Sequence, residues 1–153
     1  MSIPLTTIPH ATSVDCAHFS PHGGNWLATV TSKDSHINMF DTSIVTRRQE
    51  SDALPIPLPS PIRVYHPGFK GYEARYMRVA WDPKKRNQFV IGSMGAPPRI
   101  KIFSAHRPAR ELRSANFTGA NTVNVFHPYM DLLASGGASG IISLWRGTCS
   151  SKQ

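Results

Sequence analysis

Residues 75–103, RYMRVAWDPKKRNQFVIGSMGAPPRIKIF, decide the fold. Three runs in it, 77–81, 88–94 and 99–103, are rich in the β-branched and aromatic side chains that fit a pleated, half-buried surface. Asp-Pro-Lys-Lys-Arg-Asn (82–87) separates the first two, and Gly-Ala-Pro-Pro (95–98) the second and third. Both connections are made of residues that turns select, so the stretch reads as a three-stranded antiparallel meander.

The same plan recurs on both sides. Phe19-Ser-Pro, Trp81-Asp-Pro and Phe126-His-Pro each close an apolar run with an aromatic, a polar residue and a proline. A strand of small residues follows each of them: Leu27-Ala-Thr, Val90-Ile-Gly and Leu133-Ala-Ser. An alternating strand then ends each unit: Ile37-Asn-Met-Phe-Asp, Ile100-Lys-Ile-Phe-Ser and Ile142-Ser-Leu-Trp-Arg. The aromatic before the proline and the aromatic of the closing strand lie 21, 22 and 19 residues apart. A spacing held three times marks an internal repeat.

Weaker strands at 5–8, 62–65 and 110–114 fit between the units. The order becomes d, a-b-c-d, a-b-c-d, a-b-c, twelve short strands with no helix. Meanders that repeat in this way bury both faces against their neighbours, as the blades of a β-propeller do. The fold class is therefore all-β, about three four-stranded antiparallel blades in an incomplete ring, with units at 11–42, 62–104 and 110–146. Three blades leave two faces uncovered, so 1–153 is expected to be the C-terminal part of a longer propeller. Between the first two units Pro55, Pro57, Pro59 and Pro61 alternate. Proline fixes φ and removes donors, so 43–61 is expected to be a stiff, solvated insertion loop.

Composition excludes several classes. No apolar run is long enough for a membrane helix, and MSIPLTTIPHATS lacks the basic and apolar regions of a secretory signal. Cys16 and Cys149 have neither metal-site nor disulfide-framework spacing, which fits a reducing compartment. His18 and His22 have helical metal spacing, but the Phe-Ser-Pro between them places the pair at a strand end. There is no phosphate-binding glycine loop, no nucleophile elbow and no convergent set of titratable groups. We expect no catalysis, no cofactor, no metal and no small-molecule substrate. Lys and Arg outnumber Asp and Glu by 17 to 9, for a net charge of +8, which favours an anionic partner.

Successive connections of a meander lie at opposite strand ends, so the d–a and b–c connections share one side of the blades. Residues 66–75 fall on that side, and from Arg63 to Arg78 the chain has Arg63, Lys70, Arg75 and Arg78 against one acid, Glu73. Tyr65, Phe69, Tyr72 and Tyr76 are interleaved with them. Cations neutralise phosphates and rings stack on bases. Lys70, Arg75 and Arg99 are accordingly read as phosphate contacts, and Phe69 with Tyr72 as base contacts. The alternative is that these rings staple the loop to its own blade. Lys84, Lys85 and Arg86 lie in an a–b turn on the opposite side. They read as a solvated turn, a nuclear localisation signal or a contact for an acidic protein. Arg107 is placed in the c–d turn of that same side.

The units resemble WD40 repeats with a degenerate Trp-Asp dipeptide: Phe40-Asp41, Phe103-Ser104 and Trp145-Arg146. ARYMRVAWDP, FVIGSMGAPPRIKIF and FHPYMDLLASGGASGIISLW are similar to the C-terminal blades of the WD repeat-containing protein 76 family. A more distant similarity is to damage-specific DNA-binding protein 2. The resemblance implies a nuclear, non-enzymatic propeller of the DNA damage response. Its implied partners are duplex DNA, damaged DNA included, and chromatin proteins, with a cullin-ring ligase adaptor as a further one and no membrane. A protein-interaction scaffold or ligase substrate receptor without DNA contact is the alternative. In damage-specific DNA-binding protein 2 the segment corresponding to 66–75 carries a hairpin that inserts into a lesion. Here Gly71-Tyr72-Glu73 stands where the inserting tripeptide would be, so the likeness extends to backbone contact rather than to insertion.

Overall fold

The computed structural model describes residues 4–31, 33–47, 54–66, 76–104 and 106–147. Among the described residues eleven strands form three antiparallel meander sheets, an incomplete ring of blades. The first blade holds β1 (Val14–Phe19), β2 (Trp26–Thr31), β3 (His36–Asp41) and β4 (Ile62–Tyr65), in that order. The second holds β5 (Ala80–Trp81), β6 (Gln88–Gly92), β7 (Ile100–Ser104) and β8 (Arg107–Leu112). The third has β9 (Asn121–Phe126), β10 (Leu132–Gly137) and β11 (Ser143–Arg146). The all-β propeller segment expected from the repeats is the fold observed.

Alternation along each strand explains how the blades stack. Ala28, Val30, Ile37 and Met39 all point forward from the first blade and are fully buried. They pack on Met77, Val79, Phe89, Ile91 and Phe103 of the second segment. The other face of the second sheet sends Val90 and Ile100 against Phe117 and Leu133 of the third unit. The second sheet thus feeds two cores, one per face. Polar links stitch the same junctions. Trp81 Nε1 donates to the His18 carbonyl at 3.1 Å, and Lys84 Nζ donates to the His127 carbonyl at 2.7 Å.

The forward face of the third blade carries the same pattern, and among the described residues nothing covers it. Val123, Val125, Ile142 and Leu144 are exposed, Ile142 to 76%. The rear face of the first blade is polar instead. His10 lies across it, with Nε2 2.9 Å from Thr29 Oγ1 and its ring edge-on to Phe40.

Five expectations change. Residues 5–8 do not form a strand; Thr6 Oγ1 donates to the Ile56 carbonyl at 2.7 Å and Ile56 N to the Leu5 carbonyl at 2.9 Å. Pro4, Pro9, Pro55 and Pro57 remove the donors that would extend this pairing into a ladder. By the same contact the proline-rich insertion is not wholly solvated, since Ile56 is buried. It also opens on a single helical turn, α1 (Ser43–Thr46). The strand read at 77–81 shrinks to β5, although Met77 and Val79 before it are fully packed. Finally β8 starts at Arg107, which pairs with Ser104, so Arg107 belongs to a strand and not to the turn.

Candidate nucleic-acid interface

One side of the blades collects the ends of β4, β6 and β8. At the end of β4 the chain turns at His66, which is fully buried. Its backbone N donates to the Ser35 carbonyl at 2.8 Å, and its Nε2 donates to the Gly92 carbonyl at 2.6 Å. A carbonyl only accepts, so the ring carries its proton on Nε2. The chain therefore leaves β4 beside the point where β6 ends and the 95–98 turn begins. Phe69, Lys70, Tyr72 and Arg75 lie outside the described residues. The residues flanking them are exposed on this side, Tyr65 before and Tyr76 after.

Burial pushes the His66 ring down to about 4 from its ordinary 6.5, with the Lys101 charge adding to the shift and the Gly92 hydrogen bond opposing it. The unfolded chain takes up a proton near 6.5 and the folded chain only near 4. Stability complete above 6.5 is therefore lost as pH falls through that window. Urea unfolding should lose about 2 kcal/mol between pH 7 and pH 5. His66→Gln should flatten that slope, and equal slopes in the two proteins would refute the assignment.

Arg99 is where the meander puts it, at the start of β7, but its guanidinium is engaged. Nη1 approaches both Glu111 carboxylate oxygens at 3.3 and 3.4 Å. Lys101 Nζ lies 3.7 Å from the same carboxylate and Arg113 Nη2 2.9 Å. The Arg113 hydrogen bond holds the Glu111 carboxyl below its usual range, opposed by partial desolvation and aided by Arg99 and Lys101. Three cations thus share one anion, leaving a local excess of positive charge. Lys101 and Glu111 are directly opposed across β7 and β8. The alternation Arg99-x-Lys101 facing Glu111-x-Arg113 is a signal that sequence reading missed.

A second, smaller group stands near the start of β3. His36 Nδ1 lies 2.8 Å from Asp34 Oδ1, and Arg63 Nη2 donates to both carboxylate oxygens at 2.9 and 2.7 Å. Partial burial would raise the Asp34 carboxyl, but the His36 and Arg63 hydrogen bonds outweigh it and hold the carboxyl low.

The opposite side carries Lys84, Lys85 and Arg86, and they are not alike. The side chain of Lys84 is folded in, with Nζ 3.0 Å from the buried Asp82 carboxylate and over the Phe126 ring. This ammonium is a tether between blades and not a solvated turn residue. Lys85 and Arg86 are exposed.

The WD domain, G-beta repeat, family model matches residues 2–41 and 99–146. The chain belongs to the WD-repeat family. WD repeat-containing protein 76 of Rhinolophus ferrumequinum is 32% identical over 151 residues, covering 94% of this WD-repeat chain and 22% of that relative. The protein of the same name from Mus musculus is 30% identical, covering 91% and 21%. Protein DAMAGED DNA-BINDING 2 of Arabidopsis thaliana is 26% identical over 153 residues, 93% of this chain and 25% of that one. The chain thus spans about a fifth to a quarter of the relatives it matches. Among solved structures, the crystal structure of RRP9 WD40 repeats superposes with a TM-score of 0.63 at 15% identity, over 91% of this chain and 37% of that one. That likeness concerns the fold alone.

Proposed function

We propose that this WD-repeat segment is non-catalytic, binds duplex DNA in chromatin within the nucleus, and serves the DNA damage response. The observation that carries the reading is the grouping of Arg99, Lys101 and Arg113 around the single carboxylate of Glu111. It stands on the side where β4 ends at His66, and Lys70 and Arg75 follow His66 in the sequence. A cation-rich rim suits a phosphate backbone. Relatedness to Protein DAMAGED DNA-BINDING 2 supports damage as the setting.

Anisotropy of a labelled duplex, titrated at several salt concentrations, tests this. Each lost phosphate contact lowers the slope of log affinity against log salt by about 0.9. Charge reversal of Lys70 and Arg75 together should therefore cut the slope by about 2 and the affinity more than about tenfold. Arg113→Glu should act in the same direction. Unchanged affinity and slope in the double variant would exclude this surface. A scaffold or ligase-receptor role draws support from the exposed Lys85 and Arg86 on the opposite side.

A further inference from the structure

The two blade junctions use the same repeat positions and close differently. At the first, Met39, Val64 and Phe103 are buried, with Phe103 stacked on Phe89. The corresponding residues of the second junction, Ile102, Leu112 and Trp145, are only partly covered. Phe89 and Phe103 fill the outer wedge of the first junction, whereas the second sets a single Trp145 against the smaller Ile102 and Leu112. Between them remains a crevice of about 190 Å³ that Phe126 also lines. The recess at the first junction is mostly polar, lined by Ser20, Asn25 and Asn87, with the Trp26 ring in edge contact with His106.

The rim of the crevice is charged. Lys85, Arg110 and Arg146 border it, and among the described residues none of them pairs with a carboxylate. Lys84 is neutralised by Asp82, which leaves Asp131 as the one uncompensated acid of the rim. Small-molecule sites run to roughly 300–1,000 Å³, so a crevice of this size suits one side chain of a larger partner. An apolar floor with a cationic rim fits a bulky aliphatic side chain flanked by acids.

We infer that the outer crevice between the second and third blades is a docking site for an acidic peptide segment of a partner protein. One leucine-sized anchor enters between Ile102, Leu112 and Trp145. Flanking carboxylates meet Lys85, Arg110 and Arg146. This site lies away from the surface assigned to DNA and stands or falls separately from it.

The test uses the full chain and a short labelled peptide of Asp and Glu around one central leucine, followed by anisotropy. Saturable binding is expected, weakened at least about tenfold in the Arg110→Glu, Arg146→Glu double variant. Ile102→Phe, which fills the crevice and leaves the charges in place, should weaken it comparably, as should serine for leucine in the peptide. Arg113→Glu should leave peptide binding unchanged, and the rim double variant should leave the salt slope for duplex DNA unchanged. Both rim residues are exposed, so folding should survive, which circular dichroism checks. No saturation, equal affinity for the rim variant, or equal affinity without the leucine would overturn the proposal. Displacement of the peptide by duplex DNA at the same residues would assign the crevice to a phosphate backbone and overturn it equally.

Discussion

Phe103→Ala should destabilise the chain by about 4 kcal/mol, the cost of emptying a well-packed aromatic site in a rigid core. Phe103 is fully buried and lies parallel to Phe89 across β6 and β7, with ring centroids 5.0 Å apart and planes at 14°. His66 meets its ring edge-on at 6.2 Å. The Phe89 ring is braced in turn by Trp81 at 5.2 Å. Backbone hydrogen bonds hold both flanking strands, so little can collapse into the space left. Phe103→Leu, which keeps most of the volume, should cost about 1 kcal/mol. Urea unfolding followed by tryptophan fluorescence checks both. A loss below about 1 kcal/mol for the alanine variant would mean that the first blade junction is not a close-packed core.

Gly92→Val should be the most disruptive single change on the other junction, costing at least about 3 kcal/mol and unfastening the third blade from the second. The backbone of Gly92 is not in the left-handed region, so the need for glycine is spatial. A β-carbon there would overlap the carbonyl oxygen of Asn121, the first residue of β9. That oxygen is part of the backbone and cannot rotate aside. The Gly92 carbonyl also receives the His66 hydrogen bond, so displacing this strand end loosens both junctions together. Gly92→Ala should already cost about 2 kcal/mol. Thermal unfolding with hydrogen exchange of the β9 amides reads the effect, and an alanine variant within about 0.5 kcal/mol of the parent would refute the close approach.

Much of this architecture is legible in the residues because it is local. The alternation of Ile100-Lys-Ile-Phe and the turn chemistry of 82–87 depend on neighbours within a few positions, and β6 and β7 lie close to where they were expected. Local signals also have local failures. Leu5 and Ile8 alternate like strand residues, yet prolines at both ends and in the partner segment leave too few donors for a ladder. The start of β8 moves to Arg107 because the tight connection after Ser104, with His106 in the left-handed region, brings the chain back early.

Charged residues are the harder part, since their roles depend on what another blade brings near. Lys84-Lys85-Arg86 reads as one basic cluster. The approach of the third blade turns Lys84 into a tether on the His127 carbonyl and leaves its two neighbours in solvent. Arg99 sits where the meander puts it, yet only the pairing of β7 with β8 reveals that it shares Glu111 with Lys101 and Arg113.

The meander order within the blades and the family were legible in the sequence alone, because a period of two and a turn residue act over a few ångströms of chain. Which junction closes on stacked rings, which stays open beneath a cationic rim, and which lysine is spent holding blades together were decided only in three dimensions. Those outcomes depend on side-chain volumes and charges that meet across blades, between residues tens of positions apart.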